Sequence, residues 1–479
     1  MVGVGGILCL RIGRWGLWAG EALSVSTSDR SLESLVRSFR QNPSGATYAL
    51  LLNGWIRLGR SEAWLRTLSL IFIVATIPVL FALGRRVFSV RAAWISVAMF
   101  VLNATVLLQG QQVQYLGLTT FLAAAFSYAF FRDSTRIGGR RSPWGAVWAC
   151  LGVALVATQM ASALFVGAHI LGALVRRERR VARITALALP SFLLTTGLVL
   201  HQLRRRDFWL ASTNGWRSTF AEVARLLAGR ATLGASCVAL AGIVLIGLLA
   251  ISGRSAKDER TGSRLAEVGL WVAIALIGLC VVATQTPTAL EVVPSFVLAP
   301  LALWCGGAVH GALTSANTRG ESRKLLAIAG TIMVCVGQAW GLARWHCGTG
   351  VADWKTLCGS VFAQAKPGDG VVFVNPANRH FCEYYREKAQ LNPLPVWPID
   401  SWGGFDPDRR RLATIPPSAI ERARDTTQRL FVVVGRGESD GGTLRALDGW
   451  HPNRETRTSA GVVFEYDVLT QPVSRSSDQ

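Results

Sequence analysis

Seven blocks of this chain contain no charged side chain: residues 92–131, 142–175, 184–203, 231–253, 268–290, 292–318 and 325–343. A soluble helix of such length needs an apolar partner on every side, and seven of them need it several times over. A helix in lipid needs none, and 18 or more apolar residues is the length that crosses a hydrocarbon layer of about 30 Å. Only 16% of the residues are charged, against about 25% in soluble domains, and those charges crowd between the blocks. The chain is therefore expected to be mainly α, a polytopic transmembrane helical bundle of about eleven spans.

Block lengths place the breaks. At 1.5 Å per residue, block 92–131 as one helix would measure about 60 Å. The polar stretch Gln109-Gly110-Gln111-Gln112-Val113-Gln114 divides it into two helices and a hairpin, and block 142–175 divides near Thr158-Gln159. A helix is expected from Trp64 to Leu83, and others over 184–203, 231–252, 268–284, 293–313 and 325–342. Residues 1–10 are apolar but too few to span, so about ten further apolar residues are expected upstream.

The loops set the orientation. Segments 85–91, 132–141, 176–183, 254–264 and 319–324 carry 19 Lys and Arg, while the short connections near 110, 159 and 287 carry none. Positive loops stay in the cytoplasm, which puts the other connections and the carboxyl end outside. This distribution also accounts for the net charge of +21 without nucleic acid as a partner. Two larger outer loops, 11–60 and 204–230, each carry a net charge of +4, which departs from that pattern and suits an anionic ligand at the membrane surface.

Residues 1–343 thus read as the membrane domain and 344–471 as an extracytoplasmic α/β domain, with a polar disordered tail over 472–479. In the second domain a turn and a helix over 350–365 precede the turn Lys366-Pro367-Gly368-Asp369-Gly370 and a strand at Val371–Val374. A helix near Asn378–Ala389, a strand at Leu430–Gly435 and another at Val462–Tyr466 follow. Outside the cytoplasm, one disulfide could form among Cys347, Cys358 and Cys382, with the pairing open.

Chemistry is sought in the outer loops. Glu21, beside Trp18, could act as a general base toward an incoming hydroxyl, or could be an exposed loop carboxylate. Arg204, Arg205 and Arg206 suit the oxygens of a phosphate, or anchor a helix end. Gln109, Gln112 and Tyr115 belong to a dense hydrogen-bonding hairpin that could hold a sugar, or could simply be polar loop filling. Glu62 starts a helix with Arg66 one turn on, a pairing typical of helix starts, and Asp29 and Glu33 read as solvated. The six histidines show no metal-ligand spacing, and the chain has no phosphate-binding glycine loop and no nucleophile elbow.

The order of these features resembles a known family. Leu17-Trp18-Ala19-Gly20-Glu21-Ala22 is similar to a "Leu-Trp-x-Asp-Glu-Ala" element, and Asn42-Pro43-Ser44-Gly45-Ala46-Thr47-Tyr48 weakly to an "Asn-x-His-Pro-Pro-Leu-Tyr-Tyr" stretch. Gly59-Arg60-Ser61-Glu62 with Arg66 and Ser69 resembles "Gly-x-Ser-Glu-x-x-x-Arg-x-x-Ser", and Gly84-Arg85-Arg86-Val87-Phe88 resembles "Gly-Arg-Arg-x-Phe". The hairpin 109–115 stands where "Ser-Gln-Glu-Ala-Arg-x-Tyr" is expected, and Asp353-Trp354-Lys355 with Pro367-Gly368-Asp369 complete the series. The chain so resembles the bacterial GT-C membrane glycosyltransferases, in the group of lipopolysaccharide-core transferases and dolichyl-phosphate-mannose-type mannosyltransferases.

The resemblance implies transfer of a sugar from a polyprenyl-phosphate donor to a lipid or glycan acceptor at the outer face of a bacterial cytoplasmic membrane. It implies no obligatory cofactor, although a divalent cation could assist. The position of the family's catalytic Asp is Gly20 here, which leaves Glu21 as the candidate base. Trp18, Tyr48, Gln109, Gln112, Tyr115 and Arg204–Arg206 are the candidate substrate contacts. Two other readings stay open: an inactive relative that binds lipid-linked sugar, and a transporter or flippase.

Overall fold

The computed structural model describes residues 12, 16–41, 45–134, 143–175, 233–252, 259–285, 295–314, 320–347, 353–366, 368–374, 378–388, 396–397, 427–435 and 450–468, with four isolated residues between 189 and 197. Within these, helices α1 (Ala19–Ser28), α2 (Leu32–Gln41) and α3 (Ala46–Ile56) precede α4 (Glu62–Val87). Then come α5 (Val90–Val101), α6 (Ala104–Gly110), α7 (Leu116–Ser134), α8 (Pro143–Thr158), α9 (Ala163–Val175), α10 (Leu233–Ser252), α11 (Glu259–Gln285), α12 (Ser295–Leu313) and α13 (Gly320–Cys347). The carboxyl-terminal part adds α14 (Trp354–Gln364), β1 (Gly370–Phe373), α15 (Arg379–Lys388), β2 (Val396–Trp397), β3 (Arg429–Gly435), β4 (Arg454–Arg457) and β5 (Gly461–Asp467).

The chain divides into two compact units. The first takes Met1–Leu10, Pro43–Leu51 and Arg66–Cys347, and the second takes Arg11–Asn42, Leu52–Leu65 and Gly348–Gln479. The first outer loop therefore belongs largely with the carboxyl-terminal residues.

Helix α4, which starts in the second unit and continues through the first, has Glu62 in its first turn and Arg85 and Arg86 in its last, charges that complement the helix dipole. Among the described residues three helices are long and apolar enough to cross a membrane, at Glu62–Val87, Ser295–Leu313 and Glu321–Ala343. The bent pair α5–α6 makes a fourth if counted as one span. The expected eleven are not reached within these residues. The apolar stretches Leu116–Arg132, Pro143–Thr158, Met160–Gly172 and Cys237–Leu249 are shorter than the roughly 20 residues a perpendicular span needs. Block 184–203 lies almost wholly outside the described residues.

The outer surface of α13 fits lipid. Leu325, Ile328, Ile332, Val336 and Trp340 recur every three or four residues along one exposed face, a stripe that water would penalise and lipid tails accept. Its other face meets α10 closely enough that a Cβ on Gly242 would lie 2.6 Å from the Gly330 carbonyl oxygen. Small residues of this kind allow membrane helices to pack backbone against backbone.

Block 92–131 breaks twice, not once. The expected interruption lies at Gln111–Tyr115, and a second, a bend of 66°, separates α5 from α6 at Leu102–Asn103. A break inside a bundle frees backbone groups that must find partners. Here Asn103 Oδ1 accepts from the Thr105 and Val106 amides (2.9 and 3.3 Å), and Gln338 Oε1 on α13 accepts from the Ala104 amide (3.0 Å). Replacing Gln338 by Leu leaves that buried N–H unmet and is expected to cost about 1–3 kcal/mol, read as a lower melting temperature of the purified protein.

The second unit holds a five-stranded sheet in the order β2-β1-β3-β5-β4. β1 runs parallel to β2 and β3, while β5 is antiparallel to β3 and β4. Leu430, Phe431, Val432 and Val433 are all buried, as a central strand covered on both faces requires. The α/β expectation holds for β1, β3, β5 and both helices. Strands β2 and β4 were not foreseen: one has two residues, and the other, Arg-Glu-Thr-Arg, is a charged edge that discourages further pairing. Gly368 turns the chain into β1 at φ 94°, a conformation that favours glycine. Of the three carboxyl-terminal cysteines, Cys358 on α14 and Cys382 on α15 form the disulfide.

Candidate active site

The helical unit gathers polar groups at the ends of its uncharged connections. Thr120 Oγ1 on α7 lies 3.1 Å from Gln109 Oε1 and 3.1 Å from the Ser295 carbonyl oxygen at the start of α12. Ser295 Oγ donates to Gln159 Oε1 at 3.2 Å, and Ser162 Oγ donates to the Gln159 carbonyl at 2.6 Å. Gly45 N donates to the Thr158 carbonyl at 3.0 Å, and with φ 83° Gly45 lies against the Tyr115 ring. A relay completes the group. The single Ser69 hydroxyl proton goes to the Gln114 carbonyl (3.0 Å), so Tyr48 donates its phenolic proton to Ser69 (2.9 Å).

Of the candidates, Gln109 joins Thr120, Ser295 and Gln159, Tyr48 reaches the hairpin at Gln114 through Ser69, Tyr115 lies against Gly45, and Gln112 is buried in the hairpin. Thr120, Gln159 and Ser295, at most 1% exposed, were missed. Each is a lone uncharged residue in or beside an apolar block, and the one sequence signal for Gln159 was its place at the break after Thr158. Gln109 is 1% exposed, and its amide nitrogen has no hydrogen-bond partner. Arg204, Arg205 and Arg206 lie outside the described residues.

The second unit holds the other candidates. Trp18 caps α1 in an extended conformation, and the fully buried Glu21, three residues on, accepts from the Trp18 amide through Oε2 (3.1 Å). Glu21 is thus no exposed loop carboxylate. The α1 start is fixed from α15 of the same unit, where Tyr385 OH accepts from the Leu17 amide at 2.8 Å. Gly16 is needed there, since a Cβ on it would fall 2.7 Å from the Tyr385 hydroxyl oxygen. The Trp18 indole nitrogen is buried and makes no hydrogen bond.

Glu62 is buried and pairs with Lys388 of α15, a correction to the expected pairing with Arg66. Its second oxygen is buried without a partner. Glu33 makes an exposed pair with Arg37 one turn on, and Asp29 pairs with Arg60. Asn53 Nδ2 donates to the Ser28 and Arg30 carbonyls (2.7 and 2.8 Å) and so closes the end of α1. Among the described residues no group of three or more His, Cys, Asp and Glu could hold a metal ion, and no step is derived through one.

No family sequence model and no curated protein matches this chain. Solved structures do. ArnT from Cupriavidus metallidurans bound to undecaprenyl phosphate superposes with a TM-score of 0.61 at 13% identity, covering 97% of each chain. The same enzyme in the apo state gives 0.61 over 98% of this chain and 97% of its own. The chain has the GT-C fold. A second GT-C protein, the mycobacterial arabinofuranosyltransferase AftD in a R1389S mutant, matches with a TM-score of 0.53 and 16% identity, over 98% of this chain and 41% of its own. The likeness in fold covers residues of both units.

Proposed function

We propose that the chain transfers a sugar from a polyprenyl-phosphate-linked donor to a lipid or glycan acceptor at the outer face of a bacterial cytoplasmic membrane. The carrying observation is the GT-C fold over the whole chain, with a similar protein bound to undecaprenyl phosphate. Glu21 is a buried carboxylate in the segment that resembles the family's catalytic loop, which suits a proton acceptor. An acceptor hydroxyl attacks the anomeric carbon, Glu21 takes its proton, and the bond from that carbon to the phosphate oxygen breaks. Polyprenyl phosphate leaves with the bonding electrons. An outward second unit is supported by the basic loops of the helical unit and by the Cys358–Cys382 disulfide, a bond suited to an oxidising compartment.

One observation favours a second reading, an inactive relative that binds lipid-linked sugar. Gly20 offers no side chain where the family's Asp is expected, and Glu21 has a capping bond of its own. Incubation of the purified protein with radiolabelled polyprenyl-phosphate sugars and a panel of glycolipid acceptors separates the two. Labelled acceptor and released polyprenyl phosphate are expected; bound donor that is never consumed would favour the inactive relative.

A further inference from the structure

The buried cluster of the helical unit contains a donor with no partner among the described residues, the Gln109 amide nitrogen. Thr120 Oγ1 has one proton and three acceptors at 3.1 Å, namely Gln109 Oε1, the Leu116 carbonyl and the Ser295 carbonyl. Turning the Gln109 amide over would only exchange which of its two atoms is left over. Gln159 and Ser295 are engaged with each other. An amide nitrogen buried to 1% exposure without a partner costs about 1–3 kcal/mol, and native interiors keep few such groups. Gln109 sits on α6, beyond the bend at Leu102–Asn103, at the mouth of the hairpin.

Among the described residues, the side chains hydrogen-bonded around it are uncharged. Gln109, Thr120, Gln159 and Ser295 come from four segments, and each can donate to or accept from a hydroxyl. None can neutralise an ammonium or a carboxylate. Where the resembling hairpin has a Glu and an Arg, this chain has Gln111 and Val113. A charged substituent brought into such a site would lose its water without gaining a counter-charge, a cost of several kcal/mol.

We propose that this cluster selects a neutral sugar on the carrier lipid, with the spare Gln109 N–H donating to a sugar hydroxyl. The proposal rests on the reading of the chain as a binder of lipid-linked sugar and adds the class of that sugar. Sites built to hydrogen-bond a hydroxyl discriminate strongly, because their own buried polar groups stay unpaired with the wrong partner.

Binding is measured for three lipids: bare polyprenyl phosphate, the same lipid carrying an unsubstituted hexose, and the same lipid carrying that hexose with an amino group. The neutral sugar should raise affinity at least tenfold over the bare lipid, and the amino sugar should not. Gln109→Met should abolish that gain, bind the bare lipid as the parent does, and melt no lower than the parent when lipid-free, because the amide nitrogen it removes is unmet and Thr120 keeps two carbonyl acceptors. Gln109→Glu should reverse the preference toward the amino sugar.

An equal gain in parent and Gln109→Met, a preference of the parent for the amino sugar, or a lipid-free Gln109→Met that unfolds would each overturn the proposal. A parent with no sugar-dependent gain would mean that the amide meets only buried water, which overturns it as well. Turnover indifferent to Gln109 would leave the transferase reading standing and this one overturned. A full sugar-dependent gain without turnover does the reverse.

Discussion

Replacing Glu21 by Gln is expected to lower turnover of a lipid-linked sugar at least tenfold, and by as much as about 10⁴-fold, with donor affinity unchanged. Glu21 is fully buried and holds the first turn of α1 through the Trp18 amide. A glutamine at the same position keeps an oxygen for that amide, since either residue completes a helix-start cap. The substitution therefore spares the fold and removes only the ability to take a proton. Glu21→Ala removes both and should also lower the melting temperature. Steady-state turnover and donor binding measured together decide the point. Equal turnover in parent and Glu21→Gln would leave Glu21 a capping residue.

The largest expected stability effect belongs to Arg429. Its guanidinium makes two bonds to Asp369 (3.1 and 2.6 Å), one to Glu465 (2.8 Å) and one to the Gln364 carbonyl (2.9 Å). One side chain thus ties the turn before β1, the end of α14 and strand β5. Those hydrogen bonds to Asp369 and Glu465 hold the guanidinium above its ordinary pKa. The Asp369 side chain is 2% exposed, so Arg429→Met would strand a buried carboxylate with, among the described residues, only the Lys366 amide as partner (2.6 Å). Breaking a buried pair from one side costs about 3–5 kcal/mol, enough to unfold a marginal domain. Limited proteolysis should cut the second unit of the variant while the parent resists. Lysine should not rescue it, because an ammonium cannot reproduce the planar two-bond contact.

Much of this architecture was legible before any coordinates. Charge-free blocks locate membrane helices regardless of periodicity, and the breaks at Gln111–Tyr115 and Thr158–Gln159 showed as polar interruptions. The bend at Leu102–Asn103 did not, because a single Asn inside 40 uncharged residues looks like ordinary variation. Its signal was local: Asn followed by Ala-Thr-Val is a serviceable helix cap. Long-range pairings were out of reach. Local spacing offered Glu62 the neighbour Arg66, whereas its partner Lys388 stands 326 residues away. In the candidate site the polar hairpin announced Gln109, Gln112 and Tyr115, but Thr120 and Ser295 carry no pattern of their own. Only the packing of α7 against α12 makes them neighbours.

The strand order of the sheet constrains how this protein can be made. β5 lies between β3 and β4, so the hydrogen-bonding edge of β3 stays uncovered until residue 467 has left the ribosome. Glu465, one anchor of Arg429, arrives in the same stretch. An unfinished chain would thus present a bare apolar strand to its neighbours, the kind of edge that recruits other chains. A nonsense mutation near residue 460 should yield aggregate and not a slightly shortened protein, and synthesis of this unit should depend on holding chaperones until its final strand is delivered.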